Sequence, residues 1–96
     1  MIVDMVSFRV KSGRAQEFER HAEEWVRLMR RTRGFVTQDL MRSVERPGEY
    51  TAVVRWVSRE YRDRFHGGED AARQTLQQKA RDLLEAPPAS LLLEGV

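Results

Sequence analysis

Few side chains in this 96-residue chain can exchange a proton near neutral pH. There are two histidines and no cysteine, which excludes thiol nucleophiles, thiolate metal sites and disulfides. His66 stands directly before the pair Gly67-Gly68, and its ordinary pKa of about 6.5 makes it a candidate general base. The plainer interpretation is an exposed loop histidine. His21 falls on a charged helix face and is expected to be solvated, and two histidines so placed predict no metal site.

Two aromatic residues near His66 could bind an aromatic ligand. Tyr61 could donate a hydrogen bond to a bound phenol or quinone, or it could only cover the short helix on which it lies. Trp56 ends an apolar strand and could stack on a ligand, although a large aromatic residue at a strand end more often packs in the core.

The composition predicts one cytoplasmic domain over residues 1–96 that binds neither nucleic acid nor membrane. Charged residues make up 33% of the chain, yet the formal net charge is only +2. The arginines between positions 27 and 33 fall at the end of a predicted helix whose first half is acidic. They therefore complement the helix dipole rather than form a phosphate-binding face. A charge follows the first three residues, so we expect no signal peptide or membrane span at this end.

Periodicity predicts the elements that would position these residues. Alternation places Val6, Phe8 and Val10 on one face of a first strand, and Tyr50, Ala52, Val54 and Trp56 on one face of a third. The stripe of the first helix comprises Ala15, Phe18, Ala22, Trp25 and Met29, and that of the last helix comprises Ala72, Leu76, Ala80 and Leu83. We predict strands at residues 2–10, 35–43, 50–57 and 90–96, with a type II turn at Pro47-Gly48. The predicted helices are a first one capped by Ser12 or Gly13 and ended by Gly34, a short one from Ser58 to about Phe65, and a last one from Glu69-Asp70 to Ala86-Pro87-Pro88.

This order, βαββαβ, predicts an α+β fold of the ferredoxin-like type, an antiparallel sheet with helices on one face. The other face would carry Met5, Val53 and part of the run Leu91–Leu93, so we expect a second copy to cover it. Arg9 and Arg55 also fall on that face. They could form an anion site or, more simply, an ion-pair network with acids such as Glu94 or Asp39.

Several short phrases, in this order and spacing, resemble the antibiotic biosynthesis monooxygenase family within the dimeric α/β-barrel superfamily. They are Val10-Lys11-Ser12-Gly13, Gly34-Phe35, Trp56-Val57-Ser58 and the helix from Tyr61 to Phe65-His66. The resemblance covers essentially the whole chain and implies a homodimeric α/β barrel. It also implies a cleft between sheet and helices, lined by Val6, Phe8, Ala52, Val54, Trp56 and Phe65, with His66 and Tyr61 as the candidate catalytic residues.

The resemblance implies a monooxygenase that uses dioxygen without metal, flavin or other cofactor, on a small aromatic ligand of the phenol or quinol type. Haem-opening members carry an asparagine, a tryptophan and a histidine where this chain has Val6, Phe65 and about Thr75, so haem degradation is not expected. Phenol-oxidising members carry an asparagine where this chain has Ala52. The alternative is therefore a non-catalytic small-molecule-binding or structural protein of the same dimeric fold.

Overall fold

A computed structural model describes residues 1–96 and confirms the predicted α+β arrangement. The elements, in chain order, are β1 (Ile2–Arg9), α1 (Ala15–Arg30), β2 (Phe35–Arg42), β3 (Glu49–Trp56), α2 (Arg59–Gly67), α3 (Ala71–Leu83) and β4 (Ala89–Glu94). The four strands form one antiparallel sheet in the order β2-β3-β1-β4. All three helices lie on one face of it, which is the ferredoxin-like topology.

The register of the central strands decides which side chains meet the helices. Ile2 pairs with Trp56, Asp4 with Val54, and Val6 with Ala52. Because side chains alternate along a strand, even-numbered residues of both β1 and β3 point toward the helices. The helix-facing residues Tyr50, Ala52, Val54 and Trp56 are all buried, as the alternation predicted.

The edge strand β2 alternates poorly because its register shifts between Phe35 and Thr37. A bulge of this kind places one extra residue in the strand and reverses the faces beyond it. Gln38 and Leu40 consequently face the helices, opposite Val54 and Ala52. The turn that follows has the predicted type II features, since Gly48 has a φ of +87° and the amide of Glu49 donates to the carbonyl of Arg46 at 3.2 Å.

Two predictions about the ends of α1 were wrong. The helix is preceded by Arg14, with no side-chain cap, rather than capped by Ser12 or Gly13. It ends at Arg30, four residues before Gly34. Gly34 has a φ of +91° and instead lies directly before β2, in the turn that leads into this strand. Arg14 also forms an ion pair with Glu17 in the first turn, at 2.8 Å.

The core divides into two clusters along the sheet. One contains Trp56 and Phe65 with Ile2, Met29, Ala52 and Val54, and the other contains Phe18 and Tyr50 with Val10, Leu83 and Leu84. None of the helices is both long enough and apolar enough to cross a membrane. The first cluster, beneath α2, contains most of the predicted site.

Candidate functional site

Trp56 is the centre of an aromatic cluster under α2. Its side chain is fully buried, and its ring lies 5.7 Å from that of Phe35 and 5.6 Å from that of Phe65. Trp25 of α1 packs edge-on against Phe65 at 5.3 Å. Trp56 therefore packs in the core, the more common of its two predicted roles, although its indole Nε1 has no hydrogen-bond partner.

Tyr61 lies on α2 against the backbone of Gly34. A Cβ atom at position 34 would overlap the Cβ and ring atoms of Tyr61, so only glycine allows this approach. The guanidinium of Arg64 lies 5.6 Å from the centre of the Tyr61 ring. The contact with Gly34 holds α2 against the start of β2, and Tyr61 lies at the border of the Trp56 cluster.

A buried carboxylate, Asp4, joins β1 to α2. It is 2% exposed and accepts a hydrogen bond from Nε of Arg62 at 3.0 Å. Nε2 of His66 lies 3.7 Å from the same oxygen, Oδ2. The structure thus brings His66 beside Asp4 and Arg62, two charged residues that were not predicted from the sequence to belong to the site.

The surroundings of His66 favour its neutral form. Burial lowers its pKa first, and the positive charge of Arg62 lowers it further, while the negative charge of Asp4 opposes them. His66 nevertheless remains partly exposed, with 39% of its side chain accessible. A neutral imidazole with access to solvent is able to accept a proton at neutral pH.

Three buried side-chain polar atoms lack a hydrogen-bond partner, and all three border α2. They are Oδ1 of Asp4, Nε1 of Trp56 and Nε of Arg73. Arg73 is 8% exposed, and its terminal nitrogens donate to Gln77 and to the carbonyl of Gly68, just beyond α2. Buried polar groups are nearly always paired, so one unpaired acceptor and two unpaired donors in one region indicate a place for a polar ligand or water.

The remaining residues of the predicted cleft line the same side of the sheet. Val6 and Phe8 are partly buried, whereas Ala52 and Val54 are fully buried. All four pack against the helices. That they line a substrate pocket stays a prediction.

Three charged or polar positions were assigned wrongly or not at all from the sequence. His21 is buried rather than solvated, and its Nε2 lies 2.7 Å from the carbonyl oxygen of Leu76, so it bridges α1 and α3. Arg73 occupies the buried face of α3, while Ala72, predicted for that face, is exposed. Asp4 could have been found, because it alone interrupts the apolar alternation on the inner face of β1.

The outer face of the sheet confirms one of the predicted ion pairs. Arg55 donates to Asp39 across neighbouring strands at 3.0 Å, with both side chains largely exposed. Arg9 is exposed and makes no ion pair. No three His, Asp or Glu side chains converge in an arrangement that could hold a metal ion.

Two clefts open elsewhere, between α1 and β2. The larger, of about 590 Å³, is bordered by Glu19, Leu40, Arg42 and Tyr50. The smaller, of about 370 Å³, is bordered by Val26, Arg27, Arg30 and again Leu40. Neither cleft is lined by His66 or by any other residue of α2.

Comparison with known proteins places these features in context. The sequence model of the family described as antibiotic biosynthesis monooxygenase matches residues 1–78. No curated protein matches the sequence.

Solved structures share the fold over nearly the whole chain. SnoaB, a cofactor-independent oxygenase from Streptomyces nogalater, superposes with a TM-score of 0.87 at 19% identity, over 99% of this chain and 92% of its own. A Bordetella bronchiseptica protein described as a candidate antibiotic biosynthesis monooxygenase gives a TM-score of 0.83 at 28% identity, over 99% and 96% of the two chains. Rv0793 from Mycobacterium tuberculosis gives 0.84 at 19% identity, over 99% and 94%.

Proposed function

This chain belongs to the antibiotic biosynthesis monooxygenase family, and from that premise we propose that it is a monooxygenase that oxidises a small phenol-type aromatic with dioxygen and no cofactor. The observation that carries the proposal is the set of unpaired buried polar atoms on Asp4 and Trp56, beside a neutral histidine and a wall of aromatic rings. SnoaB, which has the same fold, is a cofactor-independent oxygenase.

The donors and acceptors left unpaired complement a phenolic hydroxyl. Asp4 and Trp56 occupy diagonal positions on paired strands, where Cβ atoms lie about 7–8 Å apart or less. A hydroxyl between them could donate to Oδ1 of Asp4 and accept from Nε1 of Trp56. Phe65 and Trp56 would then stack on the ring, and α2 would have to separate from the sheet to admit it.

His66 supplies the proton acceptor that the reaction needs. In the proposed first step the imidazole takes the phenolic proton, and the phenolate that forms is a much better electron donor than the phenol. Asp4, 3.7 Å away, stabilises the resulting imidazolium. Tyr61, at the border of the cluster, is proposed to position the ring through its hydroxyl.

The remaining steps balance without an outside reductant. The phenolate gives one electron to dioxygen, and the phenoxyl radical and superoxide combine at a ring carbon to form a carbon–oxygen bond. His66 returns its proton to the peroxide. Loss of the ring C–H proton then breaks the O–O bond and releases water, so one phenol and one dioxygen give one quinone and one water.

A binding and turnover experiment tests this assignment. In a Trp25→Phe background, Trp56 is the only indole, and titration with 1-naphthol should quench its fluorescence to saturation. Oxygen uptake should follow in buffer without flavin, nicotinamide or metal. His66→Gln should keep the quenching and reduce the uptake about 10²-fold or more, as expected for loss of a general base.

The matched control is Arg59→Gln, on the same helix but 70% exposed and 3.6 Å from Asp63. Its rate should equal that of the parent. Saturable quenching without oxygen uptake would favour the alternative, a non-catalytic small-molecule-binding protein. The absence of both would contradict the proposed site.

We also propose that the chain acts as a homodimer through the outer face of the sheet. That face carries Val53, which is buried, but also Met41, Leu91 and Leu93, which are 51%, 58% and 40% exposed. A stable pair needs about 1,200–2,000 Å² of buried surface, and a sheet face of this size can supply it.

Sedimentation should give twice the chain mass of 11.3 kDa. Leu91→Glu should yield monomers, whereas Val44→Glu, at a 99% exposed loop position off that face, should not. A monomeric parent protein at micromolar concentration would refute the dimer.

A further inference from the structure

The surface between α1 and β2 forms one groove that the proposed reaction does not use. Leu40 borders both clefts, so they are consecutive parts of a single depression. The residues that α1 contributes to it follow each other at three- and four-residue spacing, which places them along one side of the helix: Glu19, Ala22, Glu23, Val26, Arg27 and Arg30. From Glu19 to Arg30 the helix rises about 16 Å.

The lining of the groove is partly apolar, with Gln38 and Ser43 as its uncharged polar residues. Ala22 is buried, and Val26 and Leu40 are partly buried between α1 and the inner face of β2. At the far end of the groove Val44 is 99% exposed beside Tyr50, whose ring forms part of the wall. An extended hydrocarbon chain that lies along the groove would contact these apolar side chains.

The charges at the two ends of the groove are not equally compensated. Glu19 accepts a hydrogen bond from the hydroxyl of Tyr50 at 2.5 Å and lies 3.8 Å from Arg42. Burial and this contact raise the pKa of Tyr50, so it remains a neutral donor. The acid at this end is thus already satisfied within the chain.

At the other end Arg27 and Arg30 lie in the last turn of α1, where they also complement the helix dipole. Neither Arg27 nor Arg30 makes an ion pair, and Glu23 is the one acid that borders the same cleft. Together, Arg27, Arg30 and Glu23 give this end of the groove a net charge of +1. Paired guanidinium groups are well suited to hold a carboxylate through two hydrogen bonds each.

We propose that the groove between α1 and β2 binds a single-chain amphipathic monocarboxylate. Its carboxylate lies at Arg27 and Arg30, and its hydrocarbon chain runs along Val26 and Leu40 toward Val44. The ligand that fits is one of medium chain length, since α1 rises about 16 Å from Glu19 to Arg30. The site is separate from His66 and does not depend on the proposed oxygenase activity.

Calorimetric titration with decanoate, kept below its micelle concentration, tests the proposal. The expected result is saturable binding of one decanoate per chain, about two- to fivefold weaker for Arg27→Gln and again for Arg30→Gln, as expected for the loss of one exposed ion pair. Glu23→Gln should bind about two- to fivefold tighter, because it removes the opposing charge. Amide NMR shifts should fall on α1 and β2 and leave α2 unchanged.

Arg31→Gln and Arg33→Gln are the matched controls, since these arginines follow directly in sequence but do not border the groove. They should bind like the parent. Decanol, which has the same chain and no charge, should bind at least about tenfold more weakly. Equal weakening by Arg31→Gln, equal binding of decanol, no saturable binding up to about 1 mM, or an apparent affinity that falls as protein concentration rises would each overturn the proposal. The last result would mean that a second copy fills the groove.

Discussion

The ion pair between Asp4 and Arg62 is predicted to respond very differently to removal of its two members. Arg62→Gln leaves the Asp4 carboxylate, whose side chain is 4% exposed, without its cation. Removing one partner of a buried pair costs about 3–5 kcal/mol. The nearby His66 can become protonated and compensate in part, so we expect about 3 kcal/mol at pH 8 and less at pH 6.

Asp4→Asn should cost only about 1–2 kcal/mol. The guanidinium of Arg62 keeps its hydrogen bond to Asp63 at 3.0 Å, and its side chain is 24% exposed to water. The structure therefore predicts that Arg62→Gln lowers the free energy of unfolding more than Asp4→Asn does.

Urea unfolding at pH 8 measures the free energy of unfolding of both variants. Arg64→Gln is the exposed control, and we expect it to change this free energy by about 0.5 kcal/mol or less. In Arg62→Gln the pKa of His66, followed by NMR, should rise, because a repelling charge is removed and the attracting Asp4 remains. Equal losses for Asp4→Asn and Arg62→Gln, or an unchanged pKa of His66, would refute this account of the cluster.

Four further predictions concern the same region. The folded protein lowers the pKa of His66, so the unfolded chain binds that proton more readily; stability should fall as the pH drops through about 6.5, and His66→Gln should flatten this part of the curve in urea unfolding. Trp56→Ala should lower the free energy of unfolding by about 3–5 kcal/mol, because its ring is fully buried, and a loss below about 1.5 kcal/mol would mean that the cluster is loosely packed. Gly34→Ala should destabilise the protein in thermal unfolding, and by less in a Tyr61→Gly background, which lacks the Cβ and ring atoms that it would overlap, whereas an equal loss in both backgrounds would leave only backbone strain. Added haemin should give no saturable Soret shift, and a shift that His66→Gln abolishes would contradict this expectation.

The fold could be predicted from the sequence because its local signals agree with one another. Alternation in β1 and β3, the type II turn at Pro47-Gly48 and the cap at Asp70 each define an element, and their order leaves one common topology. Asp70 accepts hydrogen bonds from the amides of Ala72 and Arg73, as its position predicted. The ends of α1 could not be predicted, since the helix begins without a side-chain cap and ends in backbone hydrogen bonds from Arg31 and Thr32 to Leu28 and Met29 rather than at Gly34.

The aromatic part of the candidate site and His66 could be predicted from the sequence, but its buried charges could not. Large apolar side chains follow periodicity, and so Trp56 and Phe65 were placed together. Buried charges do not follow it, because their positions depend on partners that are distant in sequence. Asp4 meets Arg62 from 58 residues away, and His21 meets Leu76 from 55 residues away. The interior position of Arg73 likewise follows from the carbonyl of Gly68, which only the folded α2–α3 junction presents.

Isotope labelling tests the central claim most directly. With 1-naphthol as substrate and ¹⁸O₂ as the oxidant, in buffer without flavin, nicotinamide or added metal, mass spectrometry should find one ¹⁸O atom in each 1,4-naphthoquinone formed and one in water. His66→Gln should suppress both products together. No labelled quinone under conditions where 1-naphthol saturates the quenching of Trp56, or a quinone whose new oxygen comes from water, would contradict the proposal that this chain is a cofactor-independent monooxygenase.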